Sequence, residues 1–76
     1  MPVTVYTKPT CAPCQTLKKW LQMKKIEYVE KNVEDQSNFN EMLNITGGMM
    51  SVPQTKVGDR IVTGPNFSLL TELLMV

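Results

Sequence analysis

Apolar and polar positions along this chain mark out seven elements. Val3-Thr4-Val5-Tyr6-Thr7 is β-branched and aromatic, and residues 2–7 read as a buried first strand. Pro9 biases Lys8 away from the helical region, so Lys8-Pro9-Thr10 reads as a loop. From about Ala12 to Lys25 the period is helical. At about 100° per residue, Cys14, Leu17, Trp20 and Leu21 share an arc of roughly 120°. Pro13 falls in the first turn, where its missing N–H costs nothing. Trp20 reads as core or half-core. Lys18, Lys19 and Lys25 fall outside the apolar arc and read as a solvated face, with a basic rim that steers an acidic partner as the sharper alternative.

Glu27 to Val33 reads as a second strand, with Val29 and Val33 on one face and Tyr28 and Glu30 on the other. Glu34-Asp35-Gln36-Ser37 is a polar turn rich in helix caps. A second helix is predicted from about Asn38 to Thr46, with Phe39, Met42 and Leu43 inward and Gly47-Gly48 as its stop. Gln54–Val57 and Arg60–Thr63 read as short strands, joined by Gly58-Asp59 as a type II′ hairpin turn. Gly64-Pro65 breaks the second of them. A last helix from about Asn66 to Leu74 turns Leu69, Leu70, Leu73 and Leu74 inward. The order is β-α-β-α-β-β-α. A right-handed crossover makes the first two strands parallel, and the hairpin adds an antiparallel pair. The expected fold is therefore α/β: a four-stranded mixed sheet flanked by three helices.

Length and composition narrow the class. Seventy-six residues predict a single domain, 1–76, which buries only about 60% of its unfolded surface. The chain is 42% apolar and 20% charged, as in a soluble globular protein, and its net charge of +1 gives no argument for nucleic acid or membrane surfaces. No apolar run is long enough to span a bilayer, and Met1-Pro2-Val3 leads straight toward a strand with no signal peptide. A reducing cytoplasm is the expected compartment, and a monomer the expected state.

The chemistry sits in Cys11-Ala12-Pro13-Cys14, which holds both cysteines of the chain at the junction of a strand and a helix. The first sulfur meets the positive end of the helix, where the attacking thiolate is favoured. A helix end contributes about 0.3–1 kcal/mol, whereas lowering a thiol from about 8.5 to about 6.5 takes roughly 2.7 kcal/mol. Amide donors or a cation must supply the rest, and Lys8 is the nearest cation in sequence. Cys14 heads the buried stripe while Cys11 precedes the helix, which suits an exposed attacking sulfur and a shielded resolving one. Cys-x-x-Cys beside a βαβ pattern is a thioredoxin-like redox signature. Two other readings compete with it. A structural disulfide would close too short a loop to restrain the chain much. A metal or iron–sulfur site would need two chains sharing Cys11, because the sequence has no His and no further Cys.

The chain resembles the glutaredoxin family. Tyr6-Thr7-Lys8-Pro9-Thr10-Cys11-Ala12-Pro13-Cys14 is similar to the family's Tyr-(Ser/Thr)-Lys-x-x-Cys-Pro-Tyr-Cys stretch, Ser51-Val52-Pro53-Gln54 to its Thr-Val-Pro-Gln stretch, and Thr63-Gly64 falls where it often has Gly-Gly. The resemblance implies a thioredoxin-like fold and a small dithiol–disulfide oxidoreductase acting on protein or glutathione mixed disulfides. It implies Cys11 as nucleophile, Cys14 as resolving cysteine and Pro53 as a cis-proline beside the sulfurs. It further implies Val52 as a backbone partner for an extended substrate, Lys8 as a partner for a glutathione carboxylate, and Gly64 and Asn66 at the far end of that ligand. Glutathione is the implied reductant, no metal is expected, and the partners are disulfide-containing proteins. Several positions depart from the pattern. Ala12-Pro13 stands between the cysteines where the family has Pro-Tyr, which removes an aromatic wall. Pro65 stands where the family offers a backbone N–H, and Asn66 where it has an Asp. The NrdH-type redoxins, a glutaredoxin-sized branch, share the lone Gly before the last helix. That likeness implies the alternative of a ribonucleotide reductase electron donor recycled by thioredoxin reductase.

Overall fold

Alternation in the first strand decides where everything else packs. In a computed structural model that describes residues 2–75, β1 (Val3–Thr7) sends Val3 and Val5 to one face of a sheet and Tyr6 to the other. Met1, read above as the start of the run into this strand, and Val76 lie outside the described residues. The remaining elements are α1 (Ala12–Met23), β2 (Val29–Asn32), α2 (Gln36–Thr46), β3 (Gln54–Val57), β4 (Arg60–Thr63) and α3 (Phe67–Leu74). The sheet order is β2-β1-β3-β4. β2 runs parallel to β1, from Thr4↔Val29 to Thr7↔Asn32, and β3 and β4 continue the sheet antiparallel. The expected element order and mixed sheet are those observed. Gly58 alone of the two turn residues has a positive φ, as a type II′ turn requires.

The face of Val3 and Val5 carries the larger core. Leu17 and Leu21 of α1 and Leu70 of α3 join Val57 and Val62 there, with Trp20, Ile26, Phe67, Leu69, Leu73 and Leu74 packed around them. The other face is closed by α2, where Tyr6, Val33 and Met42 are buried with Phe39, Ile45 and Val52 against them. α1 and α3 therefore lie on one side and α2 on the other, and both cores brace the end of β1 that leads to Cys11.

Several boundaries differ from expectation, each for a physical reason. α1 stops at Met23 instead of Lys25, because Lys25 takes a positive φ of 58°. Its N–H then bonds to Gln22 O and that of Ile26 to Leu21 O, a Schellman cap that turns Ile26 back to the core. α2 starts at Gln36, two residues early, because Asp35 accepts from Ser37 N and caps the helix. The Ser37 hydroxyl and amide hold the Asp35 carboxyl below its ordinary range. Ile45, rather than Leu43, joins the core of α2. β2 is shorter than Glu27–Val33, and of the two valines read on one face Val33 is buried while Val29 is 57% exposed. α2 covers the Tyr6–Val33 end of the sheet and leaves the start of this edge strand open. Lys18 is not part of a free solvated face, since its ammonium pairs with Glu30 at 2.8 Å.

Two polar triads tie helices to the sheet. The Thr7 hydroxyl and Lys18 both donate to Glu30 Oε2, at 2.7 and 2.8 Å. The Lys18 contact first, and Thr7 second, hold the Glu30 carboxyl below its usual range. On the other face, Tyr6 and Lys31 both donate to Glu41 Oε1. Burial, reinforced by the Glu41 carboxylate, pushes the Tyr6 phenol above its ordinary range. The fold thus prefers the neutral phenol. That preference contributes fully below the unfolded value of about 10 and is lost as pH rises beyond it. Tyr6→Phe should flatten the fall in unfolding free energy between neutral and strongly alkaline pH. Urea titrations at a series of pH values measure this, and an alkaline slope identical to the parent's counts against it.

Candidate active site

The end of β1 and the start of α1 place the two cysteines. Cys11 is the N-cap of α1, with φ −91° and ψ 109°, and Pro13 sits in the first turn. Its Cα is 5.2 Å from that of Cys14, and the two sulfurs are joined in a disulfide. Cys11 is partly exposed and Cys14 is fully buried beneath it. The N–H of Cys14 points at the Cys11 sulfur from 3.1 Å. Pro13 has no N–H to offer, so the Cys14 amide is the donor that the helix start supplies. Lys8 is exposed; its carbonyl accepts the Cys11 N–H at 3.2 Å, which closes the loop.

The facing wall is the turn before β3. The Val52–Pro53 peptide bond is cis, and Pro53 is buried. The carbonyl oxygen of Val52 lies 3.9 Å from the Cys11 sulfur. Among the described residues neither the N–H nor the C=O of Val52 bonds to another backbone group. A half-buried residue with an unused donor and acceptor beside a disulfide can take an incoming strand.

The third part is the junction of β4 and α3. Gly64, at φ +70°, donates its N–H to the carbonyl of Pro53 at 2.9 Å. Pro65 has no N–H, and the N–H of Phe67 bonds to Pro65 O. Asn66 is exposed and caps α3, its Oδ1 accepting from Leu69 N at 3.1 Å. Val52, Pro53 and Gly64 therefore meet beside Cys11, whereas Asn66 turns its side chain into its own helix. Among the described residues no group of three or more His, Cys, Asp and Glu is placed to hold a metal ion. Sequence reading gave no role to one neighbour of this wall: Gln54, placed in a strand and at the end of the Ser51-Val52-Pro53-Gln54 motif, is fully buried and hydrogen-bonded at both ends of its side-chain amide. The motif was the available signal, but neither it nor alternation shows which groups the Gln54 amide meets.

Comparison with known proteins follows the same lines. The glutaredoxin family model matches residues 3–62. The glutaredoxin-like protein NrdH of Lactococcus lactis is 35% identical over 71 residues, which span 93% of this chain and 97% of that protein. The crystal structure of the thioredoxin-like protein BC3987 superposes with a TM-score of 0.86 at 29% identity, covering 93% and 97% of the two chains. NrdH-redoxin from Escherichia coli shares the fold, with a TM-score of 0.82 at 23% identity over 96% and 95%.

Gly64 tests how far the wall depends on backbone conformation. A Cβ added there meets nothing within 4 Å, so only its left-handed φ opposes a side chain. Gly64→Ala should lower the unfolding free energy by about 1–2 kcal/mol. The urea midpoint reports this, and an unchanged or higher midpoint refutes it.

Proposed function

The chain belongs to the glutaredoxin family, and on that premise we propose that it reduces protein disulfides through Cys11 and Cys14 and is itself re-reduced by a flavoprotein reductase in preference to glutathione. The observation that carries the reaction is the Cys11–Cys14 pair at the start of α1, facing the unused backbone edge of Val52. In the reduced form the helix end contributes about 0.3–1 kcal/mol to a Cys11 thiolate, and a hydrogen bond from the Cys14 amide about 1.5–3 kcal/mol more. Together they make Cys11 the nucleophile without help from Lys8.

The exchange has two steps. The Cys11 thiolate attacks one sulfur of the substrate disulfide, forming a mixed disulfide and releasing the other substrate sulfur as a thiolate. Cys14 gives up its proton and attacks the Cys11 sulfur; the mixed disulfide breaks, the second substrate thiolate leaves, and Cys11–Cys14 is oxidised. Two electrons pass from the dithiol to the substrate, and two protons follow them onto its thiols. Val52 aligns the substrate by pairing with its backbone, and Pro53 packs beside the sulfurs.

The order of reductants is the reverse of the sequence expectation, and the turn at Gly64 is the reason. In the family, backbone N–H groups after this Gly and an acidic side chain receive the γ-glutamyl end of glutathione. Here the first position after Gly64 is Pro65, which has no N–H, and the Phe67 N–H is used by Pro65, so of these positions the Asn66 N–H is left without a backbone partner among the described residues. Asn66 is neutral, and its oxygen is used by Leu69. Lys8 can still meet a glutathione carboxylate. NrdH-type redoxins take electrons from thioredoxin reductase, and the Lactococcus relative bears that name. Ribonucleotide reductase is accordingly the first partner to test.

The deciding assay follows NADPH consumption with a protein disulfide as acceptor, driven either by thioredoxin reductase or by glutathione with glutathione reductase. Faster turnover with the flavoprotein supports the proposal, and faster turnover with glutathione overturns the choice of reductant. Cys11→Ser should abolish turnover in both systems. Cys14→Ser should end reduction of protein disulfides but leave a single exchange with a glutathione mixed disulfide, seen by mass spectrometry as a trapped adduct. Equal loss of both reactions in Cys14→Ser removes the division of roles.

A further inference from the structure

The segment that presents Val52 is held from an unexpected direction. Behind it, the Met49 N–H is tied to the Thr46 hydroxyl at 3.1 Å; ahead of it, the Pro53 carbonyl is tied to Gly64 N. Between these anchors, Met50, Ser51 and Val52 make no backbone–backbone hydrogen bond among the described residues. What reaches them is the side chain of Gln54. Its Nε2 donates to the Ser51 carbonyl at 3.0 Å and to the Ser51 hydroxyl at 3.2 Å. Its Oε1 accepts from the Thr63 hydroxyl at 3.0 Å. The Gln54 side chain is fully buried, so its two N–H groups and its carbonyl must find partners inside the protein. These three bonds supply them.

The result is a closed clamp around the Val52–Pro53 corner. Ser51 precedes the corner and Gln54 follows it, and the Gln54 amide joins the two. Thr63 fixes the other end of that amide, one residue before Gly64, which itself holds Pro53. An amide buried in this way has one low-energy orientation. A hydrophobic residue of the same length would fill the space but leave the Ser51 carbonyl without its donor.

We propose that Gln54 is a positioning residue: it fixes the Ser51–Val52 backbone at the distance from Cys11 at which an extended segment of a substrate protein pairs with Val52 while its disulfide meets the Cys11 sulfur. This rests on the strand-pairing reading of Val52 given above. It makes the substrate class specific, because a disulfide in an extended polypeptide uses the clamp and a small disulfide without amides does not.

The test uses the full reduced chain and two substrates, a cysteine-containing peptide in mixed disulfide and hydroxyethyl disulfide, which has no backbone. Gln54→Met should slow the peptide reaction about fivefold to tenfold more than the hydroxyethyl disulfide reaction. Thr63→Val should shift the same ratio in the same direction, and Thr63→Ser should restore it. Thr63 is exposed, so this second pair carries the test if Gln54→Met fails to fold. Equal slowing of both substrates, or no slowing of either, overturns the proposal. A peptide N-methylated at the amide next to its cysteine separates the two layers. If the parent protein does not discriminate against it, strand pairing by Val52 fails and takes the positioning role with it. If the parent discriminates and Gln54→Met does so to the same extent, pairing stands and the role of Gln54 falls.

Discussion

The hydrogen bond from the Cys14 amide to the Cys11 sulfur exists because α1 begins one residue after Cys11. Shift that start by a residue and the amide points elsewhere, while the sulfur leaves the helix end. What sets the start is not the sulfur. Leu17 and Leu21 are fully buried in the main core, and truncating a core Leu costs about 2–5 kcal/mol. A hydrogen bond to a thiolate is worth about 1.5–3 kcal/mol. Packing therefore wins, and the helix takes its register from the sheet. Pro13 and the Lys8 turn then deliver Cys11 to the position that the register leaves open.

The opposite wall follows a different logic. Gln54, directly after Pro53, begins β3, whose partner β1 also leads to Cys11, so both walls grow from adjacent strands of one sheet. Yet the residue that faces the disulfide, Val52, lies just outside the ladder with its backbone groups unspent. A segment left outside the ladder has to be held by something other than the ladder. Side-chain bonds from Gln54 and the Gly64–Pro53 bond meet that requirement without occupying the edge itself.

Much of this was legible in the sequence. The period changes at Thr7, Ala12 and Gly47 located the elements, and the arc of Cys14, Leu17 and Leu21 found the inner face of α1. What was not legible shares a physical cause: it depends on what lies across space. Val29 shares a face with Val33 by alternation, but α2 covers Val33 and does not extend over Val29. Lys18 is outside the apolar arc, and only the parallel pairing of β1 with β2 brings Glu30 and Thr7 to it. Lys25 carries no mark of a left-handed residue, and the need to turn Ile26 into the core forces it there. Gln54 reads as an ordinary polar strand residue until Ser51 and Thr63 are seen on either side of its amide.

The turn at Gly64 shows fold and ligand competing for the same backbone groups. Gly64 holds the Pro53 corner, Pro65 limits the conformations open to the chain just ahead of the cap, and Asn66 caps α3. Each choice favours a well-defined entry into α3, whose Leu70 is fully buried in the main core. Pro65 and Asn66 also leave the turn without an N–H at the first position after Gly64 and without a carboxylate at the next. Exchange between Cys11 and Cys14 draws on neither group. The disulfide at the start of α1 and the β4–α3 turn are therefore separate parts of the molecule, and the groups that the turn offers can change while the cysteines stay fixed.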